Sequence, residues 1–224
     1  MSFWEYLGDR HQQLLTETCQ HALVVAQCVV LATALGVLAG VAICRSGWLG
    51  DHATATTATL LAVPPLALIG LLVPVVGPGV PPTVIALTLC GLVPIARNTV
   101  VGLRGTDPSP LDTARGLGMS RTARLVRVEL PRAWPPILTG IRGSTRILMG
   151  IAAIAAYASG PGLGNEIFRG LGSPGDAHAR DQVLAGTLGI VALALLFDTA
   201  YALIGRLTIP RTPGAPAQPE ENQT

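Results

Sequence analysis

Residues 107–131 read Asp-Pro-Ser-Pro-Leu-Asp-Thr-Ala-Arg-Gly-Leu-Gly-Met-Ser-Arg-Thr-Ala-Arg-Leu-Val-Arg-Val-Glu-Leu-Pro, a charged and helix-punctuated segment set between two long apolar stretches. Ser109 is placed as an N-cap, Pro110 suits the first helical position, and Asp112, three residues after the cap, can reach back as in a capping box. Gly116 or Gly118 ends this helix, because glycine enters the left-handed region at little cost. A second helix is predicted to start at Ser120 and to run through Leu125 and Val128 until Pro131 stops it. Two short helices joined by a tight bend, facing water between hydrophobic stretches, make a docking surface for a soluble partner.

The flanking sequence sets the fold class. Half of the 224 residues are hydrophobic and only 12% are charged, a composition of membrane proteins. Crossing hydrocarbon takes about 20 mostly apolar residues per helix, and five stretches meet that length: 22–44, 54–76, 80–103, 137–158 and 183–205. The expected fold is an all-α integral membrane protein of about five transmembrane helices, with a cytoplasmic two-helix loop over 104–136. Buried helices of a soluble α-protein are the competing reading for any one stretch taken alone.

The ends differ from the middle. Residues 1–21 contain Glu5, Asp9, Arg10 and Glu17 without a basic n-region or a small-residue cleavage site, so a cleavable signal peptide is not expected. Trp4, Tyr6, Leu7, Leu14 and Leu15 suggest an amphipathic interfacial helix there, with solvated disorder as the alternative. Residues 208–224, rich in Pro, Ala, Gln and Glu, read as a disordered tail. The transmembrane domain then covers 22–207.

Arginines supply all fifteen positive charges. With the N-terminus outside, Arg45, Arg104, Arg115, Arg121, Arg124, Arg127, Arg132, Arg206 and Arg211 fall on the cytoplasmic side, and Arg10, Arg169 and Arg180 outside. The positive-inside bias selects this orientation.

Lysine is absent. A P-loop needs its lysine to reach the β- and γ-phosphates, so this chain is not expected to be a P-loop ATPase. Four His and four Cys are scattered without metal-ligand spacing, and no nucleophile and base are grouped. Neither an enzyme nor a metal or cofactor site is expected, and no nucleic-acid partner. Cys28 and Cys90 read as small apolar packing residues.

With these residues in view, a resemblance emerges. Asp112-Thr113-Ala114, Gly118 and Val128-Glu129-Leu130-Pro131 are spaced like the Glu-Ala-Ala…Gly…Ile-x-Leu-Pro motif of bacterial ABC importer permeases, with Asp for Glu and Thr for the first Ala as departures. The resemblance implies that this loop is the coupling helix, which enters a groove on a separate cytoplasmic ATPase subunit. It implies further that the ATPase uses the ATP, that an extracytoplasmic binding protein delivers the solute, and that two permeases pair. Further stretches are similar to osmoprotectant permeases, which move glycine betaine, choline, carnitine or proline-like solutes: Val63-Pro64-Pro65-Leu66, Leu92-Val93-Pro94-Ile95-Ala96-Arg97-Asn98-Thr99, Gly140-Ile141-Arg142 and Gly160-Pro161-Gly162-Leu163-Gly164. Methionine and related importers share much of this frame.

Polarity at membrane depth marks candidate pathway residues. Pro64, Pro65 and Pro94 remove backbone donors and are expected to kink the second and third spans; packing is the alternative reading, as it is for Gly70, Gly77, Gly79 and Gly91. Asp198 lies in the fifth span, where an ionisable group normally faces a bundle interior or a polar route. Its candidate partners are Arg97, Arg142 and Arg146, the last two one helical turn apart. It reads as a structural ion pair near the cytoplasmic mouth or as a gate element. Tyr157, Phe197 and Tyr201 are too few for an aromatic cage around a quaternary ammonium, which assigns tight recognition to the binding protein. The glycine-rich segment 159–181 is expected outside, as a docking site or a solvated loop. A passive channel or a membrane scaffold remains a reading from another class.

Overall fold

The computed structural model describes residues 3–46, 64–106 and 108–209, and these form an all-helical bundle. In chain order the helices are α1 (Phe3–Asp9), α2 (His11–Arg45), α3 (Pro65–Val76), α4 (Val80–Arg104), α5 (Pro108–Gly116), α6 (Arg121–Ala158), α7 (Gly164–Gly172) and α8 (Ala179–Thr208). Four of them, α2, α4, α6 and α8, are long and apolar enough to cross a membrane.

The helix that holds the first span begins at His11, eleven residues before the apolar stretch that hydropathy marks. Gln12, Gln13, Glu17 and Gln20 carry no β-branch and favour helix, so the polar stretch before residue 22 continues the apolar helix. Residues 1–21 therefore do not form one separate interfacial segment: α1 is a single short helix, and Glu17 and His21 share the buried stripe of α2 with Val25, Cys28, Ala32, Gly36 and Gly40. That stripe packs on α4. A Cβ added at Gly40 would lie 2.6 Å from that of Thr99, and one at Gly36 would lie 3.0 Å from that of Ile95, a small-xxx-small contact of the kind that holds helices together without a hydrophobic driving force.

The predicted second span, 54–76, is described only in its second half. Its first residues fall in 47–63, outside the described residues. The remainder, α3, has twelve residues, about 18 Å at ~1.5 Å per residue. Pro64 is extended ahead of it (φ −62°, ψ 126°) and Pro65 opens it. Among the described residues the two prolines head this helix, the position where a missing N–H costs nothing, and Pro74 lies inside it. Between α3 and α4, Gly77 and Gly79 have φ of 82° and 103°, so the turn requires glycine there for conformation. Gly91 is a packing residue as read, its missing Cβ facing Leu148 and Ala32.

Pro131 does not end a helix. Residues 125–129 widen into a π-turn in which Leu130 N–H donates to Leu125 O, one residue beyond the α register. The widening sits directly ahead of the residue that has no N–H to give. The helix therefore continues from the charged loop through the predicted fourth span, 38 residues in all.

Val25, Cys28, Leu87, Ile95, Ile137 and Leu148 centre the core where α2, α4 and α6 meet. α8 leaves Leu184, Leu188, Leu195, Leu196 and Leu203 exposed, a face suited to lipid. Beyond Ile209 the predicted tail lies outside the described residues.

Candidate coupling loop and transmembrane ion cluster

The loop between α4 and α6 is built by local hydrogen bonds. α5 opens at Pro108, so Ser109 and Pro110 stand inside its first turn and not at the cap and first position. Asp112 is turned to Arg115 at 3.0 Å, with both side chains more than half exposed, a pair worth little; the capping-box role is not seen. Thr113 Oγ1 donates to Ser109 O. At the other end Gly118 N–H donates to Arg115 O and Met119 N–H to Ala114 O, the pair of bonds of a Schellman motif. Gly118, with φ 76°, is thus the left-handed residue, and the choice between Gly116 and Gly118 is decided. Ser120 Oγ accepts from Ala123 N–H at 3.2 Å, the expected N-cap of the second helix.

Half of the motif converges. Ser109, Pro110, Thr113, Ala114, Val128 and Pro131 line one open groove together with Met119 and Leu117. Asp112 is not among its lining residues, and Leu130 turns inward to pack against the core. Leu117, 77% exposed on the bend, was missed in the sequence; an apolar residue between two glycines in a charged loop was the available signal. The groove is braced from behind. Arg124 Nε donates to Glu129 Oε1 at 2.8 Å across the π-turn, both largely buried, and Arg45 at the end of α2 donates to Arg121 O.

The pathway candidates do not gather into one site. Arg142 and Arg146 on α6 both grip Asp198 on α8: Arg142 Nε donates to Oδ1 at 2.5 Å and its Nη2 to Oδ2, while Arg146 Nε and Nη2 both reach Oδ1, at 3.0 and 2.5 Å. Two of the three candidate partners are therefore real. Arg97 is exposed on α4 and has no ion-pair partner among the described residues. Its neighbour Asn98 donates to Pro94 O at 2.9 Å and packs its Cβ where Gly140 has no side chain. Tyr157 is exposed at the far end of α6, against Phe168, and Pro64 and Pro65 head α3.

A second polar cluster, unread in the sequence, joins α1, α2 and α7. Tyr6 Oη donates to Glu166 Oε2 at 2.9 Å, Gln13 Nε2 to Glu166 Oε1 and Glu17 Oε1, and Arg169 ion-pairs both Glu166 and Glu17. Glu166 is fully buried. Burial, reinforced by the bond to Glu166, pushes the Tyr6 phenol up to about 12. Segment 159–181 is accordingly not a solvated loop throughout: Gly162 (φ 112°) lies against His21, and Gly164 against Ala153 O. The i, i+4 pair Glu17 and His21 in register with Val25 was the legible sign that the helix began early and faced inward.

With the loop and bundle in place, similarity to known proteins is decisive. Residues 32–209 match the family described as binding-protein-dependent transport system inner membrane component. The chain belongs to this family. Among its relatives are the osmoprotectant import permease protein OsmW of Salmonella typhimurium, 38% identical over 93% of this chain and 96% of that protein, and the carnitine transport permease protein OpuCB of Listeria monocytogenes, 33% identical over 94% and 93%. The choline transport system permease protein OpuBB of Bacillus subtilis is 31% identical over 92% and 93%. Among solved structures, the inward-facing MetNI methionine ABC transporter superposes with a TM-score of 0.74 at 20% identity, over 88% of this chain and 96% of that one. An amino acid ABC transporter gives 0.73 at 16% identity, over 92% and 99%. The permease thus shares the helical fold of ABC importer permeases, as the motif spacing implied.

Proposed function

We propose that the permease is the membrane subunit of an ATP-driven importer for an osmoprotectant, a small zwitterionic or quaternary-amine solute such as glycine betaine, carnitine, choline or proline. The groove lined by Thr113, Ala114, Val128 and Pro131 carries this reading. It is an exposed apolar cleft on a capped two-helix loop, and α6 runs without a break from that loop through the bundle. Displacement of the loop by an ATPase is therefore transmitted along one rigid element into the spans.

The loop lies in the cytoplasm in this reading, the N-terminus outside and the C-terminus inside, in accord with the arginine distribution. ATP is bound and used by the separate ATPase subunit. A solute-binding protein docks on the outer face, where α7 and the polar cluster under it present a braced platform. Two permeases, identical or homologous, enclose the route about a two-fold axis. Names of the relatives support the solute class; the methionine transporter supports the fold alone.

The test is uptake of labelled glycine betaine, carnitine, choline and proline by cells that lack their own osmoprotectant import and express this permease with its ATPase and binding protein. ATP-dependent accumulation of at least one is expected. Accumulation of none, with the complex assembled, would overturn the reading.

A further inference from the structure

We propose that Arg146 is a specificity-determining residue that receives the carboxylate of the solute at the bilayer midplane; this rests on the importer reading above.

The argument begins with depth. Arg146 lies twelve residues along α6 from Trp134, whose indole N–H donates to Thr208 at one end of the bundle, and twelve from Ala158 at the other. At ~1.5 Å per residue it is about 18 Å from each, the middle of a hydrocarbon layer about 30 Å thick. A guanidinium at that depth is too far from either interface to snorkel out.

Charge comes next. Arg142, Arg146 and Asp198 form a cluster of two cations and one anion. Asp198 is already held bidentately by Arg142, and Arg146 shares one oxygen of it. One positive charge is therefore uncompensated, and it sits on the more exposed arginine: the Arg146 side chain is 58% exposed, that of Arg142 37%. An uncompensated charge at the midplane must face a polar route or protein and not acyl chains. Its surroundings agree. Gly143 and Gly150, on either side of Arg146 along α6, have open space where a Cβ would stand, and Thr139 continues the exposed stripe.

Among the described residues, a second copy of the chain brings no spare carboxylate at this depth to cancel the charge. Asp198 is the only carboxylate in the middle of α4, α6 or α8, so each added copy brings two more arginines and one more aspartate. A solute with a carboxylate does cancel it, and a guanidinium with a shared, half-engaged fork is the group that binds carboxylate bidentately. Phe197 and Tyr201, with ring centroids 6.4 Å apart, border the same crease. Glycine betaine, carnitine and proline carry a carboxylate; choline does not.

The experiment measures initial uptake of glycine betaine and choline by the assembled transporter in proteoliposomes, with one binding protein throughout so that delivery is constant. Arg146→Gln is expected to lower the betaine-to-choline rate ratio at least tenfold, and Arg146→Lys, which keeps the charge, to recover most of it. A ratio unchanged from wild type, including an equal fall in both solutes, overturns the proposal, because a structural role moves both together. If the wild type imports choline and no carboxylate solute, the proposal also fails while the importer reading stands. If it imports betaine and excludes choline, equal loss of betaine uptake in the Gln and Lys variants overturns it, and recovery by Lys supports it. Import of no solute overturns the importer reading first.

Discussion

Tyr6 and Glu166, 160 residues apart in the chain, are joined by a 2.9 Å hydrogen bond in which the phenol donates to Oε2 of a fully buried carboxylate. Through it the short N-terminal helix is fastened to α7, and α7 to the start of α2. Removing the donor strands one buried oxygen, a loss of about 1–3 kcal/mol. Tyr6→Phe should therefore lower the thermal midpoint of the detergent-purified permease by a few degrees. The pH dependence has a definite sign. Tyr6 ionises near 10 in the unfolded chain and at about 12 in the fold, so its contribution is complete below pH 10 and is lost as pH rises to about 12. Stability curves for wild type and Tyr6→Phe should converge over that interval.

Arg169 serves two carboxylates, Glu17 and Glu166. Replacing it with Met leaves both buried acids unneutralised and should destabilise the fold by about 3 kcal/mol or more. Glu17→Gln removes one charge and keeps the other pair, and should be the milder change. Thermal unfolding of the two variants would show the order, and the reverse order would refute this account of the cluster.

Glycines near one another in sequence differ sharply in tolerance. A Cβ at Gly164 would overlap Ala153 O, whereas one at Gly143 meets nothing within 4 Å. Gly164→Ala should abolish monodisperse folded permease on size exclusion. Gly143→Ala should leave yield and elution unchanged.

Leu117 stands exposed on the bend that Gly118 makes. Leu117→Asp should reduce co-purification of the ATPase at least tenfold while the thermal midpoint stays within a degree or two, since the side chain packs against little of the fold. Ser120→Ala removes the N-cap bond to Ala123 and should cost about 1 kcal/mol in stability. Loss of ATPase binding in the Ser120 variant alone would shift the docking role away from Leu117.

Asp198→Asn leaves Arg142 and Arg146 without a counter-ion inside the bundle. Lower membrane yield together with lost uptake is the expected outcome, measured by quantitative immunoblot and transport. Unchanged yield and uptake would remove both a structural and a gating role.

Much of this architecture is legible because periodicity and punctuation are local. The third span, predicted at 80–103, is Val80–Arg104, and the cap at Ser120 is where its residue type and spacing put it. Pairing of Asp198 with Arg142 and Arg146 agrees with their one-turn spacing and the cost of a lone charge in lipid. Errors arise where local rules compete. Pro131 reads as a stop because it cannot donate, but a π-turn moves the register around it. Residues 11–21 look too polar for a span, yet Glu17 finds Arg169 from a helix more than 150 residues away, and no window of sequence contains that partner.

By itself, then, the chain determined that it is a helical membrane protein with a water-facing, capped loop between spans. Apolar length is read along a single helix, and proline and glycine act within a turn or two, so neither needs a tertiary partner. The tertiary structure alone decided which arginines meet Asp198, that Arg97 does not, that α6 runs unbroken out of the loop, and that Tyr6, Glu17, Glu166 and Arg169 form one cluster. Those outcomes depend on which helices lie side by side, and that is set by close contacts such as Gly40 on Thr99 and Gly162 on His21, where the absence of a side chain lets two distant segments approach.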